Sequence, residues 1–272
     1  MNITDPLSFF MPGTNGQAIL LVHGLTGAPA EMRLVARQLN RRGYTIYAPL
    51  LAGHGKDVAA LRTTSWRHWL ESVDRAASDL ASHASVVFAA GICVGGALGL
   101  LSAHQNPGTI KAAALYSPCF QYDGWNVPFY YPLLSRQIGW LSRVPFLDRL
   151  SFAETSTMGI KDERMRRMMA AMSSEGVLER FPGKGLVEMY RLGIALKKRL
   201  PEISTPTLIL HSREDDLSDP RHAEYIRSHI GGRRQLHWID DSYHMIHVDR
   251  QRLQVADITA DFFEEAHARE PS

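Results

Sequence analysis

Cysteine is scarce in this chain: Cys93 and Cys119 are the only two among 272 residues. One pair is no disulfide framework, which excludes a stapled secreted scaffold and leads us to expect a reducing, cytoplasmic setting. Long apolar runs are missing too, and no stretch reaches the roughly 18–20 residues of a membrane-spanning helix. The N-terminal MNITDPLSFF has no basic region, so no secretory leader is expected. Charge of one sign is also lacking. With 30 Lys+Arg against 28 Asp+Glu, the formal net charge is +2, which gives no reason to expect a nucleic-acid partner. The short basic runs Arg164-Met165-Arg166-Arg167 and Lys197-Lys198-Arg199 read as solvated helix faces. There is no internal repeat and no low-complexity linker.

What remains is an ordinary globular composition, 45% hydrophobic and 21% charged. A chain of this length buries about three quarters of its unfolded surface, enough for one core plus an insertion. Strand-like runs occur at Ala18–His23, Thr45–Pro49, Val86–Ala90, Ala112–Tyr116, Thr207–His211 and Gln235–Ile239. Several are almost wholly apolar, as parallel strands covered on both faces must be. Amphipathic stretches lie between them; in Ala30–Arg41, for example, Met32, Val35 and Leu39 fall on one helix face. The alternation predicts an α/β fold with a mostly parallel, doubly wound sheet, its site beyond the carboxyl ends of the strands.

The alternation fails from about Cys119 to Leu200, where no good strand is visible. Aromatic residues (Trp125, Phe129, Tyr130, Tyr131, Trp140, Phe146) fill the first half, and Met165, Met168, Met169 and Met172 mark the second. We expect residues 119–200 to form a helical cap inserted into a core made of 1–118 and 201–272. An enlarged outer helical layer is the alternative. Trp125 and Phe129 are the candidate substrate-binding residues, although these aromatics serve equally as the insertion's own core.

The run Gly91-Ile92-Cys93-Val94-Gly95-Gly96 follows an apolar strand and precedes a helical stretch. That is the context of the G-x-S-x-G turn, in which a strained central residue projects its side chain from the sheet. Cys93 holds the central place, at a helix N-terminus that favours a thiolate. A buried structural cysteine after a glycine-rich strand is the alternative. Leu20–Gly27, reading LLVHGLTG, ends another strand in a glycine-containing loop. Leu25 in that loop and Val94 after the cysteine are the candidate oxyanion-hole N–H donors. A carboxylate-rich loop, Ser212–Pro220, follows one late strand, and Asp240–Met245 follows the next. His244 is the candidate base, with His247 as its nearest competitor.

In combination and order, LLVHGLTG, APLLAGHG at residues 48–55, the Cys93 turn, HSREDDLSDP and DDSYH resemble the bacterial carboxylesterase and monoacylglycerol lipase branch of the α/β-hydrolases. The similarity covers nearly the whole chain apart from the insertion. It implies an α/β-hydrolase fold with the nucleophile at Cys93, the acid at Asp215 in preference to Asp216, and the base at His244. The oxyanion donors fall on Leu25 and Val94. His54 and Trp66 match family positions at which we expect packing and loop support. Cysteine stands where that branch has serine. The string C-V-G-G is also locally similar to polyhydroxyalkanoate synthases, which carry acyl groups on a cysteine.

The expected activity is acyl hydrolysis of a small-molecule ester or thioester through a Cys-His-Asp triad and a covalent acyl-enzyme. No metal and no cofactor are expected. An acyltransferase using the same cysteine, and an inactive ligand-binding homologue, stay open as alternatives. So does an engineered exchange of serine for cysteine. Acyl chain, leaving group and oligomeric state carry no sequence signal.

Overall fold

The computed structural model describes residues 5–128, 151–153, 158–172 and 180–269. Its strands, in chain order, are β1 (Phe9–Met11), β2 (Gln17–Val22), β3 (Thr45–Ala48), β4 (Val86–Ile92) and β5 (Ile110–Tyr116). After them come β6 (Ser151–Ala153), β7 (Arg180–Pro182), β8 (Thr207–Ser212) and β9 (Arg234–Ile239). Seven of these form one sheet in the order β1-β3-β2-β4-β5-β8-β9. Only β1 runs antiparallel, against β3; every other neighbouring pair in this sheet is parallel. The fold is therefore the mostly parallel, doubly wound α/β sheet that the alternation predicts.

The helices are α1 (Arg33–Arg41), α2 (Val58–Arg62), α3 (Trp66–Ala81), α4 (Val94–Gln105), α5 (Glu163–Met172), α6 (Gly183–Arg199), α7 (Arg221–His229) and α8 (Arg252–Ala268). Two adjacent residues of β4 show why both sheet faces need covering. Phe88 stacks on Phe263 of α8, with ring centroids 4.4 Å apart and planes 5° apart. Ala89 points the other way, where Gly99 of α4 passes it so closely that a Cβ there would lie 3.2 Å from the Ala89 methyl. Strand side chains alternate between faces, so a strand buried on both must be apolar throughout. All seven residues of β4 are buried. α4 is enclosed in turn, with every residue from Val94 to Ala103 buried.

Two features escape the sequence pattern. β1 is a three-residue edge strand, and β6 and β7 make a separate antiparallel pair within the stretch expected to lack strands. Three residues hold too little alternation to be recognised. The insertion's last helix, α6, packs on α3 and α4 of the core. It buries Glu188, whose Oε2 accepts the Trp66 N–H at 3.2 Å, satisfying a donor that the first turn of α3 leaves without an intrahelical partner. Among the described residues no helix is long and apolar enough to cross a membrane.

Candidate active site

The strand order reverses direction beside β2: β3 lies on one side of it and β4 on the other. A crevice opens at such a switch point, beyond the strand carboxyl ends. Register carries the loops into it. Val22 pairs with Gly91, Ile92 with Tyr116, Tyr116 with Leu210, and Ser212 with Ile239. The loops after β2, β4, β8 and β9, which hold Leu25, Cys93, Asp215 and His244, thus leave one edge of the sheet.

Cys93 has φ 54° and ψ −115°, a region that costs a non-glycine residue about 1–3 kcal/mol. Its surroundings impose it. A Cβ on Gly91 would lie 2.5 Å from the Gly95 carbonyl carbon, and one on Gly95 would collide with the Val22 and His23 carbonyls. The Cys93 N–H donates to the Tyr116 carbonyl at 2.9 Å, tying the turn to the neighbouring strand end.

Asp215 and His244 meet as the motif order anticipates. The His244 Nδ1–H faces both Asp215 oxygens, at 2.8 and 3.1 Å. Asp215 also accepts the Leu217 and Ser218 N–H groups, at 2.9 and 2.8 Å, and the Ser218 hydroxyl at 3.0 Å. Burial pushes the Asp215 pKa up, but the His244 charge and these hydrogen bonds outweigh it and bring the carboxyl to about 2. For His244, burial favours the neutral ring; the Asp215 charge overrides this and lifts the pKa well above the usual histidine value. The Cys93 sulfur lies near enough to the His244 ring to raise its pKa further. The Cys93 pKa falls to about 5 through a hydrogen bond with Cys119, against the opposing effect of burial, helped by His244 and by the Val94 N–H.

The loop after β2 is held by groups that the motif reading left unassigned. The His23 Nδ1–H donates to the Gly24 carbonyl at 2.9 Å, fixing the peptide whose N–H belongs to Leu25. Its Nε2 accepts the Leu51 N–H at 3.1 Å, so the ring is neutral; burial, together with the neighbouring His54, lowers its pKa to about 3. Glu31 accepts the Gly24 N–H at 2.7 Å. His54 donates from Nε2 to the Leu25 carbonyl at 2.7 Å and packs edge-on against Trp69. The loop support expected of His54 is thereby visible, whereas His23 and Glu31 carried no separate signal.

Asp216 takes a different place from Asp215. Its two oxygens accept the Gly159 N–H at 3.1 Å and the His244 N–H at 3.4 Å, so it touches the histidine loop through the backbone and away from the imidazole. His247 is fully buried, stacks on Tyr116 and has its pKa lowered by burial to about 3. Trp125 is 65% exposed; its indole N–H donates to the Glu214 carbonyl and its ring meets Tyr243 edge-on. Phe129 lies outside the described residues. Asp249, fully buried, accepts backbone N–H groups from Lys161 and Asp162 of the insertion and from Tyr243 and Arg250 of the histidine loop.

A doubly wound sheet whose strand ends bring this turn, this carboxylate and this histidine together defines an α/β-hydrolase. Residues 13–251 match the family described as serine aminopeptidase, S33 (Hydrolase_4), and the chain belongs to it. It is 26% identical to a carboxylesterase of Bacillus subtilis (strain 168) over 268 residues, 97% of this chain and 98% of that one. A thermostable monoacylglycerol lipase of Bacillus sp. (strain H-257) is 25% identical over 247 residues, 90% of this chain and 89% of that one. A solved structure reported for the metagenome-derived lipolytic enzymes LipS and LipT superposes with a TM-score of 0.79 at 23% identity, covering 97% of this chain and all of that one. The chain is an enzyme of the esterase and lipase type, an acyl hydrolase.

Proposed function

We propose that this enzyme cleaves small carboxylic esters or thioesters through an acyl-enzyme on Cys93, with His244 as acid and base and Asp215 as its orienting carboxylate. One observation carries the reading: His244 hydrogen-bonds Asp215 at 2.8 Å inside a buried cluster that also holds Cys93, near enough for sulfur and ring to shift each other's pKa. The thiolate adds to the acyl carbonyl. The Leu25 and Val94 N–H groups receive the developing oxyanion, the former aimed by the His23–Gly24 hydrogen bond. His244 gives its proton to the departing alcohol or thiol, leaving a thioester on Cys93. Acylation removes the sulfur's negative charge, one of the effects that raise the His244 pKa. The imidazole then releases its proton more readily and serves as base for the attacking water.

The relatives, a carboxylesterase and a monoacylglycerol lipase, favour carboxylic esters, with monoacylglycerols among them. Residues 119–200 are proposed as the cap that selects the acyl group, with Trp125 and Phe129 as its candidate contacts. A thioester intermediate also reacts well with amines and thiols, which keeps acyl transfer as the second reading. Intact-protein mass spectrometry with a panel of acyl esters and thioesters tests the proposal. Wild-type protein should carry one acyl group, mapped to Cys93, and release free acid. If Cys93→Ala turns over the same donors at the wild-type rate, the nucleophile lies elsewhere. Partition of acyl groups between water and added alcohols or amines separates hydrolysis from transfer.

A further inference from the structure

Cys119 is the second of only two cysteines in the chain, yet it lies beside the first. It stands three residues after Tyr116, whose carbonyl accepts the Cys93 N–H, at the end of the strand next to β4. Between them Ser117 has φ 40°, so the chain turns sharply just before Pro118 and Cys119. The outcome is a thiol in the same buried cluster as Cys93, near enough for the two sulfurs to shift each other's titration and for Asp215 to act on it. Its S–H also has the Gln121 carbonyl as acceptor at 3.0 Å. Both side chains are buried, and both are free thiols. Hydrolysis as described gives Cys119 no part in any bond that forms or breaks.

We propose that Cys93 and Cys119 form a covalent modification site, a dithiol that a hydroperoxide converts to an intramolecular disulfide. The proposal rests on the reading of Cys93 as the reactive thiolate of the site. In the first step the Cys93 sulfur attacks the peroxide; an S–O bond forms, the O–O bond breaks, and the departing hydroxide takes the proton from His244 to become water. In the second step the Cys119 sulfur attacks the Cys93 sulfenic acid. The S–S bond forms, the S–O bond breaks, and the leaving hydroxide combines with the Cys119 proton as a second water. Two electrons pass from the sulfurs to one peroxide, and two thiols plus hydrogen peroxide give one disulfide plus two waters. A Cys93 residue so bonded carries no nucleophilic sulfur, and the disulfide protects it from irreversible oxidation to sulfinic acid. The partners supply complementary chemistry. The thiolate-prone Cys93 is the sulfur that a peroxide finds, and the protonated Cys119 is the one held in reserve beside it.

The experiment treats the 272-residue protein with hydrogen peroxide, then maps peptides by mass spectrometry without reduction. Wild-type protein should lose two hydrogens, yield a cross-linked Cys93–Cys119 peptide, and regain its starting hydrolysis rate with dithiothreitol. Cys119→Ser should instead gain oxygen on Cys93 and recover less than a tenth of its own starting rate. Oxygen adducts on wild-type Cys93 with Cys119 still alkylatable would overturn the proposal, as would two thiols left unoxidised. The peptide map reads both sulfurs whether or not the protein turns over an ester. A disulfide found where Cys93→Ala keeps full activity would therefore sink the nucleophile assignment alone.

Discussion

His23 and His244 invite comparison: each is a buried histidine in a loop that follows a sheet strand, yet their pKa values move in opposite directions. His23 donates its Nδ1–H to a carbonyl and accepts a backbone N–H at Nε2, and its pKa drops to about 3. His244 lies against a carboxylate and a thiol, and its pKa rises well above the ordinary value. Burial pushes both down. What differs is whether a full negative charge faces the ring, since a carbonyl dipole does not offset desolvation and a buried carboxylate does. The loop after β2 thus holds a fixed, uncharged support, while the loop after β9 holds a ring that keeps its proton and is proposed to pass it on.

The deepest break should come from removing the proposed proton carrier. His244→Ala should lower kcat/KM by about 10⁴-fold or more, because members of a triad act as one unit. Ester turnover under excess enzyme measures it, and a loss below tenfold would exclude His244 as base. Asp215→Asn should come next, at about 10³- to 10⁴-fold. That change gives His244 the uncharged partner His23 has, so the ring should lose its proton at lower pH. Iodoacetamide labelling reads the same change at the sulfur. In the wild type the labelling rate should rise as pH climbs through about 5, where the thiolate forms, and then level off. The rise should move to higher pH in Asp215→Asn, and an unmoved profile would break the contrast between the two loops.

His23→Ala should act on the fixed side. It frees the Gly24–Leu25 peptide, so kcat should fall by up to about 10²-fold with little change in KM. It also leaves the Gly24 carbonyl and Leu51 N–H unpaired, at a cost of about 1–3 kcal/mol in chemical denaturation. An equal rise in KM with kcat preserved would show that the loop binds substrate and does not receive the oxyanion. The smallest effect belongs to Asp216→Asn. An amide keeps one of its two acceptor oxygens, so the loss should be about tenfold in kcat, the size of one hydrogen bond. Glutamate at 216 should restore part of it. If Asp216→Asn proves more damaging than Asp215→Asn, the orienting carboxylate has been misassigned.

The frame and the turn were legible in the sequence because each has a steric or periodic cause. The apolar runs had to be doubly covered strands, and Gly91 and Gly95 had to be bare because their neighbours leave no room for a Cβ. Within the carboxylate-rich loop, Asp215 was singled out only by the family resemblance; His244 was found through motif order and its place after the last strand. His23 and Glu31 were not, since each acts through backbone groups brought near only by the turn after β2. Asp249 was equally silent: nothing in its local sequence marks a carboxylate that gathers amides from a segment some 90 residues earlier. The contact of Cys119 with Cys93 depends on the pairing of β4 with β5, which composition alone does not reveal.

Asp249 ties the chain together in a way that bears on how it opens. The amides of Lys161 and Asp162 share one buried carboxylate with those of Tyr243 and Arg250. A buried charge is expensive to leave uncompensated, so neither segment withdraws its amides without cost to the other. The two therefore behave as a single cooperative unit of local unfolding, and their amides should exchange with solvent deuterium through one common opening. Any motion that lifts residues 159–162 off the core draws on the same free energy that seats the His244 loop.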